Sequence, residues 1–322
     1  MLSKIERVSL GFFPTPWQEL KNLSDYLGGP RIFTKREDQS GLALGGNKVR
    51  KLEYILADAL AQKADVIITF GAVSSNHARQ TAAAAALLGL ECQLILTGKE
   101  PEQPQGNYLL DKILGAKTFC VRNREVEDTL VRLTADNLKQ GKRSYVIPAG
   151  GHTILGTIAY IQAYQEIKQQ FPFTLDGIIT AIGTGTTYAG LYLGSQLDQN
   201  RFPVVGISVG GDKSWCASEA TKVVQATLQH LDLSVPAMVA MEIYDEYVGE
   251  GYTIPYPQVR LAIELLARTE GILLDPVYSG KAMAGLIDLI HKGRFQAGDN
   301  IMFLHTGGAP ELFTMHRFLS EK

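Results

Sequence analysis

At 322 residues, with 45% apolar and 20% charged side chains, the chain holds material for one large core or two moderate ones and shows no bias toward disorder. Its 31 basic and 33 acidic residues leave a formal net charge of −2, so nothing draws it onto nucleic acid or anionic lipid, and a small molecule is the expected partner. Cys92, Cys120 and Cys216 are odd in number and widely spaced, which argues against a disulfide framework and fits a reducing cytoplasm. The stretch Met1 to Arg7 lacks the apolar core of a signal peptide, and no run approaches the roughly 20 apolar residues of a membrane span.

In chain order, the first strongly periodic segment is Val49 to Ala61. There Val49, Leu52, Ile55, Leu56, Ala59 and Leu60 form one apolar stripe, as a helix packed on a sheet requires. It is preceded by Gly45-Gly46-Asn47-Lys48, a glycine pair and a helix-start asparagine that put a lysine in the first turn. The helix dipole there disfavours the ammonium and favours Lys48 as nucleophile or base; taken alone, Lys48 also reads as a solvated member of a basic cluster with Arg50 and Lys51.

From Val66 onward, short apolar runs alternate with helix-length segments, the pattern of parallel α/β layers. The clearest strands are Val66–Phe70, Gln93–Leu96, Tyr145–Ile147, Gly177–Ala181, Val204–Val209 and Asn300–Leu304. Ligands of such sheets sit beyond the carboxyl ends of strands, which singles out four junctions. Phe70 to His77 offers Ser74, Ser75 and Asn76 as donors where a carboxylate could dock, or as helix caps. Gly183-Thr184-Gly185-Thr186-Thr187, before the helical segment Ala189 to Leu197, reads as a phosphate cup or as a tight turn. It lacks the lysine of an ATP-binding loop and the dinucleotide glycine spacing. Asp275 to Lys281 and His305 to Gly308 each read as a strand end with hydroxyls and glycine, and Tyr252 adds a second phenol beside Tyr278. The six histidines show no pair at metal-ligand spacing, so no metal is assigned. No linker or repeat divides the chain, so any second domain is an insertion.

Together, Gly-Gly-Asn-Lys48-x-Arg-Lys-Leu-Glu-Tyr, Ser75-Asn76-His-x-Arg-Gln, Thr184-Gly-Thr-Thr-x-Ala-Gly, Asp-Pro-x-Tyr278 and His-x-Gly-Gly resemble the 1-aminocyclopropane-1-carboxylate (ACC) deaminase/D-cysteine desulfhydrase family. Phe13-Pro14-Thr15-Pro16 and Lys35-Arg36-Glu37-Asp38 extend the resemblance toward the N-terminus, so it spans nearly the whole chain in order. The resemblance implies an α/β protein of the tryptophan-synthase-β-like fold (fold type II), with two open, twisted, mostly parallel sheets flanked by helices. It implies a large domain of residues 1–50 and 162–322 around a small inserted domain of 51–161, usually in a homodimer that closes on substrate.

It also implies pyridoxal 5'-phosphate (PLP) as cofactor, bound as a Schiff base to Lys48. Thr184, Gly185, Thr186 and Thr187 would hold its phosphate, Asn76 its phenolic oxygen and Thr306 its ring nitrogen. Tyr278 would lie against the ring. Ser75 would face the amino-acid substrate, Ser74 and His77 would flank its carboxylate, and Tyr252 would approach its reacting end. Members that open the ACC ring resemble one another in having Glu after the stacking tyrosine and Leu in the last motif; here Ser279 and Thr306 stand instead, similar to the D-cysteine desulfhydrase branch. The expected reaction is β-elimination from D-cysteine to pyruvate, hydrogen sulfide and ammonia. ACC, cysteate or D-serine as substrate, a non-catalytic PLP-binding role, and a nucleotide-binding module are the alternatives.

Overall fold

The computed structural model describes residues 5–235, 237–315 and 318–319. Its described strands are β1 (Trp17–Glu19), β2 (Arg31–Arg36), β3 (Val66–Ala72), β4 (Glu91–Thr97), β5 (Lys117–Val121), β6 (Ser144–Ile147), β7 (Gly177–Ile182), β8 (Val204–Ser208), β9 (Glu242–Tyr244) and β10 (Asn300–His305). They form a six-stranded sheet in the order β1-β2-β10-β7-β8-β9 and a four-stranded sheet in the order β5-β4-β3-β6. Only the β1–β2 pair is antiparallel. The larger sheet takes strands from both ends of the chain, whereas the smaller draws all of its strands from between Lys51 and Ile161.

Both faces of the larger sheet are covered, which is why β7 and β8 are wholly buried and, apart from Thr180 and Ser208, apolar. Alternation along the strands divides them between two cores. Ile178 and Met302 pack with Tyr160, Tyr164 and Leu191 beneath the helices Ile154–Gln170 and Thr186–Gln196. Ile179, Ile301 and Phe303 pack with Ile263, Met283 and Leu286 beneath the helices Pro257–Glu270 and Ser279–His291. A third core lies on the smaller sheet, where Val49, Leu52, Ile55, Leu56 and Ala59 of the helix Asn47–Ala61 meet Ile67, Leu94 and Ala82. The apolar stripe read from the sequence makes this contact except for Leu60, which is exposed at the end of the helix.

Three of the strands the sequence reading lacked, β1, β5 and β9, are short sheet edges. The fourth, β2, is masked by its basic residues. Lys35 is fully buried there and its amine donates to Glu166 at 2.5 Å. Next to it, buried Glu37 accepts from Arg50 at 2.7 and 2.9 Å, from Thr15 Oγ1 at 2.7 Å and from Tyr160 at 2.8 Å. Burial opposes the Glu37 charge, but the Arg50 guanidinium overcomes it and holds the carboxyl down at about 2. The Lys35 to Asp38 motif is therefore a structural anchor. Through Arg50 it fixes the first turn of the helix that carries Lys48.

Candidate active site

A cavity of about 1470 Å³ opens between the two sheets, lined by the ends of β3 and β7 and by the loops and helix starts that follow them. It gathers Lys48, Ser75, Asn76, His77, Thr184, Gly185, Thr186, Thr187, Tyr252, Tyr278 and Thr306 into one site. Residues 48 and 306 meet because backbones approach closely here. The Asn47 N–H donates to the Thr306 carbonyl at 3.0 Å, and a side chain on Gly307, whose φ is 90°, would stand 2.8 Å from the Gly46 Cα.

Lys48 lies in the first turn of its helix, with its amine 3.3 Å from the Gly150 carbonyl. Burial is the main influence on it, and pushes its pKa down to about 8. Asn47 is not the helix cap. Gly46 takes that position, and the Asn47 side chain instead donates to Thr187 Oγ1 at 3.0 Å. Lys51, one turn on, donates to the same Gly150 carbonyl at 3.2 Å and is fully buried, its pKa driven well down by burial and by the Lys48 charge. Its i+3 spacing from Lys48 was the available signal for this partnership.

The strand-to-helix junction after β7 has the geometry of an anion cup. Gly185 adopts φ 91° ahead of the helix Thr186–Gln196, and the first N–H groups of a helix have no partner within it. Thr186 Oγ1 is 2.8 Å from His152 Nδ1. Neither His152 nor Gly150 carries a sequence signal for this place, since a chain reversal more than thirty residues long brings them here.

Ser75 caps the helix Asn76–Leu87, its Oγ accepting from Ala78 N at 3.2 Å and leaving its proton free for another acceptor. Asn76 Oδ1 accepts from Asn107 Nδ2 at 2.9 Å, so its own amide hydrogens remain as donors toward the cavity. Asn107, fully buried, was not read from the sequence. It also donates to the Ser74 carbonyl at 2.7 Å and to Glu311 at 2.8 Å, and accepts from Arg79 at 3.1 Å. Ser74 meets the rest of the network through its backbone carbonyl.

His77 is buried rather than a surface group. Thr69 donates its hydroxyl proton to the Ile147 carbonyl at 2.7 Å, so the 3.0 Å contact from His77 Nε2 must be a donation to Thr69 Oγ1. Nδ1 is then a bare acceptor, buried without a hydrogen-bond partner. Burial and the nearby Lys48 and Lys51 keep the ring neutral.

Tyr252 and Tyr278 bring their hydroxyls into contact, with ring centroids 5.9 Å apart in an edge-on arrangement. Burial, then Tyr252, raises the Tyr278 phenol well above its ordinary value. The turn before Tyr278 does not end a strand, contrary to the sequence reading. It is shaped by the Asp275 carboxylate, which accepts the backbone N–H groups of Val277, Tyr278 and Ser279 at 2.8 to 2.9 Å. Ser279 is not in the cavity wall. Its hydroxyl donates to Asp275 at 2.6 Å, so it stiffens the turn that aims Tyr278.

These groups fit a phosphorylated pyridine aldehyde. An amine of lowered basicity could hold its carbonyl carbon, the helix start its phosphate, the Asn76 amide its phenolic oxygen and a hydroxyl its ring nitrogen. Among the described residues no cluster of three or more His, Cys, Asp or Glu could hold a metal, and no helix is long and apolar enough to cross a membrane.

Comparison with known proteins points to the same cofactor. The family described as pyridoxal-phosphate dependent enzyme matches residues 8–307. A D-cysteine desulfhydrase of Klebsiella pneumoniae (strain 342) is 41% identical over 326 residues, covering 99% of this chain and 98% of that protein. A crystal structure of an ACC deaminase homologue matches with a TM-score of 0.90 at 42% identity, over 99% of this chain and 96% of the other. The chain is thus a fold type II enzyme that uses pyridoxal phosphate, and it belongs to the family of the ACC deaminase and D-cysteine desulfhydrase homologues.

Proposed function

We propose that the enzyme converts D-cysteine and water to pyruvate, hydrogen sulfide and ammonia by β-elimination. The observation that carries the reading is the joint presence, in one cavity, of the Lys48 amine, the Tyr252–Tyr278 hydroxyl pair and the Thr306 hydroxyl. A relative 41% identical and bearing the name D-cysteine desulfhydrase supports it.

When bound, PLP supplies an electron sink for the bond that breaks at the substrate α-carbon. Lys48 is the residue that would hold the cofactor's carbonyl carbon, and its amine is the base that would take the substrate α-proton. Burial lowers the basicity of this amine, which suits a general base working near neutral pH. Ser75, with its free hydroxyl proton, would bind the substrate carboxylate at the start of the helix Asn76–Leu87. Thr184 to Thr187 hold the cofactor phosphate, Asn76 the phenolic oxygen and Tyr278 the ring face. Tyr252 lies toward the leaving sulfur. Thr306 can only share a hydrogen bond with the ring nitrogen, giving a weaker sink than a carboxylate would, but hydrosulfide is a good enough leaving group that the weaker sink suffices.

We also propose a large unit of residues 1–50 and 162–322 and a small unit of 51–161, joined through the helices Asn47–Ala61 and Ile154–Gln170. We further propose a homodimer, and a reducing cytoplasm as its setting, with which the free Cys92, Cys120 and Cys216 accord. The test is pyruvate and sulfide release from D-cysteine, L-cysteine, D-serine, cysteate and ACC in parallel. Both products from D-cysteine and none from ACC are expected; turnover of ACC with D-cysteine inert would overturn the assignment in favour of ring opening.

A further inference from the structure

Lys281 lies one turn beyond Tyr278 on the helix Ser279–His291 and is fully buried. Its amine donates to three backbone carbonyls, at 2.7 Å to Val248, 2.8 Å to Gly251 and 3.3 Å to Val209. Val209 follows β8, while Val248 and Gly251 belong to the loop that delivers Tyr252. One ammonium therefore ties together the helix that starts at the first tyrosine, the end of a central strand, and the loop that carries the second tyrosine.

That loop needs an external tie. Gly249 and Gly251 adopt φ of 69° and 154°, and Thr253 sits at φ 69°, a conformation that β-branched residues resist. Tyr252 packs directly on Gly210, where an added Cβ would be 3.0 Å from the Tyr252 Cβ. Movement of the loop away from Val209 would thus carry the phenol away from Tyr278.

We propose that Lys281 is a positioning residue, holding the Tyr252 hydroxyl against Tyr278 over the substrate. The buried Val209 carbonyl and the part-buried carbonyls of Val248 and Gly251 lose their shared donor if the amine is removed, so the loop is released while Lys48 and the phosphate cup stay as they are. The proposal rests on Tyr252 acting at the reacting end of the substrate.

The test uses the PLP-loaded enzyme and its Lys281→Met, Lys281→Gln, Tyr252→Phe and Lys281→Met/Tyr252→Phe variants. Hydrogen exchange over residues 248–254 should quicken in Lys281→Met, and less in Lys281→Gln, which keeps two N–H donors. The visible absorbance of the bound cofactor should stay unchanged. With D-cysteine, Lys281→Met should lower kcat about tenfold or more with little change in KM, and the double variant should be no slower than Tyr252→Phe alone. Unchanged exchange in both Lys281 variants, or a double variant slowed by the product of the two single effects, would overturn the proposal. If the wild type fails to turn over D-cysteine while exchange quickens only in this loop, the substrate assignment falls and the clamp itself is supported; Lys281→Gln keeps the exchange test available if Lys281→Met does not fold.

Discussion

Glu311→Gln should make the enzyme more stable at pH 8 and leave it nearly unchanged at pH 5. Glu311 is 1% exposed; its Oε1 accepts from Asn107 at 2.8 Å and its Oε2 from Thr314 at 3.0 Å. Burial raises its pKa from 4.5 to about 7. The folded carboxyl binds its proton more tightly than the unfolded one, so its contribution to stability is full below about 4.5 and is lost as pH rises to about 7. A shift of this size corresponds to about 3 kcal/mol. Glutamine keeps an acceptor for Asn107 and offers Thr314 a donor, while removing the charge. The variant should therefore gain about 2–3 kcal/mol over wild type at pH 8. For a chain of this length that is several degrees in Tm. Chemical and thermal unfolding of the PLP-loaded protein between pH 5 and 8.5 would measure this. Wild type and Glu311→Gln following the same pH slope would refute the reasoning.

Asn107→Ala should shift the visible spectrum of the bound cofactor, because Asn76 loses the donor that fixes which side of its amide faces the cavity; an unchanged spectrum contradicts this. Arg50→Met should destabilise by about 3–5 kcal/mol, since it strands the buried Glu37 charge, a loss that denaturant unfolding would register. Thr187→Val should weaken PLP affinity about tenfold by cutting the Asn47–Thr187 tie at the phosphate cup, read by cofactor titration of the apoprotein.

What the sequence made legible was what depends on local pattern. The stripe from Val49 to Ala59 and the apolar run from Gly177 to Ala181 found their elements because period and burial agree there, whereas Leu60, in phase with the same stripe, is exposed. The glycine–threonine junction after β7 was readable because a left-handed Gly185 and a helix start are local devices. Strand β2 was hidden because Lys35 is neutralised by Glu166, 131 positions away. Asn107, His152 and Lys281 act through contacts 30 or more residues distant in the chain, and no local pattern marks them. Ser279 was read only as a marker of one branch of the family, and nothing local showed that its hydroxyl is committed to Asp275 four residues back.

The most direct measurement is sulfide and pyruvate release from D-cysteine by wild type and Lys48→Ala, each loaded with PLP and followed by its visible absorbance. The account predicts stoichiometric sulfide and pyruvate from wild type, and from Lys48→Ala loss of turnover together with loss of the absorbance of the lysine-linked cofactor. Full turnover and an unaltered spectrum in Lys48→Ala would contradict it.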